Sequence, residues 1–188
     1  MSFRHIAGAA VVIASGLAFS TVPSLSADAP RGVNAPFEVA AVQATAPNFV
    51  GITNWLNSPP LDIASLRGKV VLVNFWTYGC VNCVNTLPHV TALYDKYKDR
   101  GLVVVGVHTP EFPFERSAGN VKAALTRHGI TYPVAQDNAS STWNAYRNQY
   151  WPAQYIVDQN GKIVFQHAGE GQYDEIERTV ARLLGANS

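Results

Sequence analysis

The sequence predicts an α/β protein in three layers, a mixed central sheet flanked by helices. Two continuous apolar runs rich in β-branched residues, 69–77 and 102–108, bracket an amphipathic stretch, which reads as strand, helix, strand. A second helical pattern follows, and the last third holds two strand-like runs joined across Asn160-Gly161 before a closing helix. Strand-helix-strand units give parallel neighbours by right-handed crossover and the hairpin adds antiparallel ones, so the sheet is mixed.

In chain order, Met1 to His5 carries one Arg and leads into an apolar stretch from Ile6 to Phe19, followed by small and polar residues. This is the layout of a secretory signal, assigned to residues 1–27 with an approximate cut site. A membrane span needs roughly 20 apolar residues, so the run is short for one, and membrane attachment is expected only if the segment stays uncleaved. No cysteine follows the run and no Arg pair precedes it, which points to general secretion. The chain is therefore expected in the periplasm or otherwise exported.

Residues 28–46, rich in Ala and Pro without a sustained period, read as a tether, and 47–188 as a single domain. Arg4 is the only charged residue of the signal, so the 13 basic and 13 acidic residues beyond it cancel. Neither nucleic acid nor anionic lipid is expected to bind such a surface.

Within the domain, F-V-G-I-T at 49–53 reads as a short strand and K-V-V-L-V-N-F-W-T at 69–77 as a central strand buried on both faces. Val84 to Asp99 places Leu87, Val90, Leu93, Tyr94 and Tyr97 three and four apart, an amphipathic helix closed by Gly101. Leu102 to His108 is the second buried strand, Ala118 to His128 a second helix, Tyr132 to Gln136 a short strand and Ser141 to Tyr146 a short helical turn. Q-Y-I-V-D-Q-N-G-K-I-V-F-Q-H reads as the hairpin, and Asp174 to Leu184 as the last helix.

The only two cysteines, Cys80 and Cys83, lie just past the central strand where the first helix opens. At that place the sulfur of Cys80 meets unpaired backbone N–H groups and the positive end of the helix dipole, which favours thiolate over thiol. Only the thiolate attacks a disulfide. Cys83, one turn further in, lies beside it but deeper and would resolve the mixed disulfide. A bond across two residues closes a loop far shorter than the 15 residues that yield about 3 kcal/mol, so stapling is a weak reason for the pair. A structural zinc site needs four ligands, and His89, His108, His128 and His167 show no paired spacing to supply the rest, so no metal is expected.

The run V-V-L-V-N-F-W-T-Y-G-C-V-N-C-V-N-T-L-P resembles exported thioredoxin-like proteins of the TlpA type, and more closely the C-terminal redox domain of DipZ proteins. L-R-G-K-V-V-L-V-N-F-W, V-V-G-V-H-T-P-E-F, W-P-A-Q-Y-I-V-D and N-G-K-I-V resemble that group in order and spacing, from about Ala46 to the end. The resemblance implies a thioredoxin-like fold, thiol-disulfide exchange with protein substrates and no cofactor beyond the redox-active cysteine pair. It also implies electrons from a membrane carrier of the CcdA or DsbD kind. Pro88 matches the helix-kinking proline of the group. Pro152 matches its cis-proline beside the disulfide, so that Trp151 helps select substrates, with Tyr78 and Trp76 flanking the groove.

Two departures stand out. Thioredoxins carry a buried Asp six residues before the first cysteine, where this chain has Asn74; TlpA-like proteins often have Glu three residues after the second, where it has Thr86. Neither titrates, which leaves Glu111 as the candidate proton acceptor. Reduction is the favoured direction, although Val81-Asn82 between the cysteines leaves the potential open. A peroxiredoxin-like peroxidase remains an alternative, because Thr77-Tyr78-Gly79-Cys80 matches half of P-x-x-x-T-x-x-C while Val73 stands at the proline position. A copper-handling protein resembling the Sco group is a further one, with His108 or His167 as ligand, but that group spaces its cysteines C-x-x-x-C.

Overall fold

The computed structural model describes residues 44–185. The signal, its cut site and most of the tether fall outside them. Ten elements follow in order: β1 (Asn54–Leu56), β2 (Val70–Trp76), α1 (Val81–Tyr97), β3 (Leu102–His108), α2 (Ala118–Arg127), β4 (Val134–Gln136), α3 (Ser141–Ala145), β5 (Ala153–Val157), β6 (Ile163–Ala168) and α4 (Tyr173–Leu183). They form one six-stranded sheet in the order β1-β4-β3-β2-β5-β6. β2, β3 and β4 run parallel, while β5 is antiparallel to β2, β6 to β5 and β1 to β4.

Every residue of β2 is buried, Asn74 included, as expected of a central strand whose remaining residues are all apolar. Its alternate side chains serve two cores. Val70, Leu72 and Trp76 pack with Leu87, Val90 and Leu93 of α1, Val121 of α2 and Val180 of α4. Val71, Val73 and Phe75 face Trp143 of α3 together with Phe49 and Ile63. A fully buried Leu contributes about 1.5–3 kcal/mol, and truncating the buried Leu87 to Ala should cost about 2–5 kcal/mol. Pro88 removes one backbone donor inside α1, yet the helix continues to Tyr97 because the packing on both sides of it holds the next turns in place.

The first strand lies further along than the sequence suggested. Gly51 takes a φ of 65°, which breaks the extended run at 49–53, so pairing starts at Asn54 and Phe49 turns inward, edge-on to Trp55 at 5.6 Å. At the hairpin, Gly161 alone adopts positive φ, and Asp158 Oδ1 accepts from the N–H groups of Asn160 and Lys162. Ala44 to Ala46, inside the stretch assigned to the tether, runs along this hairpin: Ala46 N–H donates to Gly161 O and Ile163 N–H to Ala44 O.

Candidate active site

β2 delivers the chain from the centre of the sheet to Thr77, and Tyr78 and Gly79 carry it to Cys80, the N-cap of α1. Cys80 has extended backbone, and its carbonyl accepts the first helical bond from Val84 N–H at 3.0 Å. Its Sγ takes the place of a capping oxygen, accepting from Cys83 N–H at 3.3 Å. The first turn holds no acidic residue, so no side chain of that turn opposes the positive end of the helix at the sulfur. The helix thus starts three residues before the sequence pattern showed, because its first turn, V-N-C, carries no amphipathic signal.

The thiols differ in access. Cys80 is half-buried, whereas Cys83 is 1% exposed, and both are free. Burial, the hydrogen bond with Cys80 and the charges of Cys80 and Glu111 push the Cys83 thiol far above its ordinary range, against a smaller opposing contribution from the Thr77 backbone. One sulfur is reachable and the other is held protonated beneath it.

Asn74 is buried and accepts from Gln154 Nε2 at 3.4 Å, and Thr86 turns its hydroxyl back to Asn82 O at 3.0 Å. Glu111 is exposed on the loop after β3. The carboxylate that enters the site is Glu115, which the sequence reading missed. It is fully buried, accepting from Gly79 N–H on Oε1 at 2.9 Å and from the N–H groups of Glu111 and Phe112 on Oε2 at 2.7 and 2.8 Å. Burial alone would raise this carboxyl, but the hydrogen bonds from Thr77, Phe112, Glu111 and Gly79 outweigh it and hold it below its usual range. The pattern F-P-F-E was the available signal: Pro opens a short turn, and a Glu two residues on reaches back to its first amide.

His108 lies under the same loop with no exposed surface. Its Nε2 is 3.3 Å from Thr77 Oγ1, its ring stacks on Tyr78 at 5.5 Å and meets Trp76 edge-on at 5.2 Å. Burial lowers its pKa to about 4, against the pull of Glu115, so it is neutral near pH 7. Thr77 is equally buried, with its hydroxyl turned toward His108 and Glu115. Among the described residues, no three His, Cys, Asp or Glu side chains converge to hold a metal ion.

The Trp151–Pro152 peptide bond is cis. Pro152 is buried and Trp151 half-buried, its indole N–H donating to Thr109 O at 3.0 Å and its ring lying 4.1 Å from that of Trp143. Tyr78 is half-exposed and donates its hydroxyl to Phe114 O at 2.9 Å. Trp76 does not flank a groove. It is 0% exposed, because β2 alternation sends it with Leu72 into the core under α1, which covers this face to the end of the strand.

A family model described as redoxin matches residues 41–183. Protein DipZ of Mycobacterium tuberculosis is 52% identical over 143 residues, covering 74% of this chain and 21% of that protein, so the chain spans about a fifth of that relative's length. The thiol-disulfide oxidoreductase YkuV of Bacillus subtilis is 32% identical over 138 residues, covering 73% of this chain and 93% of that one. Among solved structures, a thioredoxin-like protein in its oxidised form superposes with a TM-score of 0.70 at 31% identity, covering 78% of this chain and 99% of its own. The fold and the family resemblance read from the sequence are both borne out: the chain belongs to the redoxin family, among its thioredoxin-like thiol-disulfide oxidoreductases.

Proposed function

We propose that this chain works outside the cytoplasm as a protein disulfide reductase, with Cys80 as nucleophile and Cys83 as resolving thiol. The observation that carries the reading is the unequal pair: a reachable sulfur capping α1 and, one turn on, a buried thiol held protonated.

The Cys80 thiolate attacks one sulfur of a substrate disulfide. A bond forms between Cys80 Sγ and that sulfur, the substrate S–S bond breaks, and the departing sulfur leaves as thiolate and takes a proton. Cys83 then gives up its proton and attacks Cys80 Sγ, forming the Cys80–Cys83 disulfide and releasing the second substrate thiol. The substrate gains two electrons and the cysteine pair loses two. We assign the Cys83 proton to Glu111, a carboxylate on the loop after β3 that lies open to solvent. Pro152 and Trp151 shape the substrate groove with Tyr78. The pair itself holds the electrons, so no prosthetic group is required. Restoring the dithiol calls for a membrane carrier of the CcdA or DsbD kind, and the reducing direction follows the company the chain keeps. Export rests on the composition of residues 1–27.

The buried Thr77 hydroxyl disfavours the peroxidase alternative, because it is not presented beside Cys80 to a bound peroxide. The test is Cys83→Ser in the source cell. Mixed disulfides should accumulate on Cys80 and disappear in Cys80→Ser/Cys83→Ser; a Cys83→Ser chain that captures no partner would end the exchange role.

A further inference from the structure

Five large apolar side chains are strongly exposed among the described residues: Val50, Val81, Phe112, Phe114 and Tyr150. Three of them, Val81, Phe112 and Phe114, sit on the cysteine segment or on the loop that Glu115 ties to it. Val81, 69% exposed, follows Cys80 directly. Phe112 and Phe114, 46% and 58% exposed, stack with centroids 5.6 Å apart and planes 4° from parallel, and Phe114 lies 6.2 Å from the Tyr78 ring. Tyr150, 60% exposed, precedes Trp151, whose indole N–H fastens the cis-proline segment to Thr109 at the start of the same loop. Isolated exposed apolar residues need no explanation, but several gathered at one place mark an interaction site.

The gathering is built, not incidental. Glu115 holds the loop and the cysteine segment on one carboxylate, with Gly79 N–H on one oxygen and the N–H groups of Glu111 and Phe112 on the other. Gly79 leaves room for this, since a Cβ there would collide with Glu115 Oε1. Tyr78 adds a second tie through Phe114 O. Any disulfide that reacts must bring its sulfur into bonding contact with Cys80 Sγ, so the chain carrying it must lie across these neighbours.

We propose that Phe112 and Phe114, with Val81, form a docking shelf for an extended polypeptide bearing an apolar side chain next to its cystine, and that Glu115 is the positioning residue that fixes the shelf against Cys80. The shelf rests on the exchange reading above and narrows its substrates: protein disulfides in apolar sequence are preferred over small disulfides and over cystines flanked by polar residues.

The test is single-turnover oxidation of the prereduced protein by three disulfides: hydroxyethyl disulfide, a disulfide-linked peptide with Leu and Phe flanking the cysteine, and the same peptide with Ser at both flanks. The unaltered protein should prefer the apolar peptide over the Ser peptide. Phe112→Ser/Phe114→Ser should raise the half-saturating concentration for the apolar peptide about tenfold, as expected for ring area left in water, and reduce the preference accordingly. Glu115→Gln is the second variant. An amide offers one acceptor oxygen where the carboxylate offers two, so its NH2 must face either Gly79 N–H or the two loop amides, and the preference should fall with both Phe rings intact. Val50→Ser, exposed but outside the shelf, should behave as the unaltered protein. Equal half-saturation in the Phe variant overturns the shelf, and an unchanged preference in Glu115→Gln overturns the clamp. An unaltered protein that none of the three disulfides oxidises removes the exchange chemistry, and the shelf with it; reaction with both peptides at equal half-saturation leaves the exchange chemistry standing and overturns the shelf alone.

Discussion

Gly79→Ala tests whether the Glu115 carboxylate is held in place as tightly as its geometry implies. Gly79 does not adopt positive φ, so alanine is permitted by the backbone and would ordinarily gain about 0.4–1 kcal/mol by restricting the unfolded chain. Here the new methyl would collide with Glu115 Oε1. The carboxylate must move, and it cannot do so without loosening the 2.9 Å bond from Gly79 N–H. A hydrogen bond to a charged group contributes about 1.5–3 kcal/mol, so after the backbone gain the net cost is about 1–2 kcal/mol. For a domain of this size that lowers Tm by roughly 2–8 °C. Urea denaturation followed by tryptophan fluorescence should be run on the unaltered protein, Gly79→Ala, Glu115→Ala and the double variant. With Glu115 truncated the obstacle is gone, so Gly79→Ala should be neutral or stabilising there, giving a coupling energy of about 2 kcal/mol. A Gly79→Ala cost of the same size in both backgrounds would refute the reasoning.

Acid should destabilise the fold through His108: its pKa is about 4 folded and about 6.5 unfolded, so the unfolded state binds the extra proton between those values. Stability is complete above pH 6.5 and falls by about 3 kcal/mol as pH drops to 4, and His108→Asn should remove that slope from a urea series. Glu115, held below its ordinary value, should add a further loss only at lower pH, and Glu115→Gln should remove that lower portion. Trp76→Ala should cost about 3–5 kcal/mol as a core truncation, whereas Trp76→Phe should leave half-saturation by peptide disulfides unchanged; a rise there would return Trp76 to the groove. Terminal sequencing of the protein from the source cell should find a chain starting near Asp28, and a chain retaining Met1 would count against cleavage.

Much of the site is local in sequence, and that part was legible. A β-branched run, a C-x-x-C pair and an amphipathic pattern fix strand, turn and helix within some 30 residues, so the placement of Cys80 and Cys83 followed from short-range rules. The replacement of the usual carboxylates by Asn74 and Thr86 was equally readable. Glu115 was not, because its meaning lies in a bond to Gly79, 36 residues away, which exists only once β2 and β3 are paired. Trp76 failed for a related reason: period two says which face it takes, but not that α1 covers that face to the last residue. In the first strand a single positive φ at Gly51 shifted the pairing by several residues, a backbone choice that apolar patterning does not register.

The contact between residues 44–46 and the β5–β6 hairpin has a directional consequence. β5 starts opposite Phe75, near the end of β2 that leads to Cys80, and ends opposite Val71, so its hairpin sits at the far pole of the sheet. Residues 44–46 thus lie at the stern of the domain while the Cys80 sulfur rides at the prow. Held at residues 44–46, the domain would keep Cys80 at the end turned away from the hold.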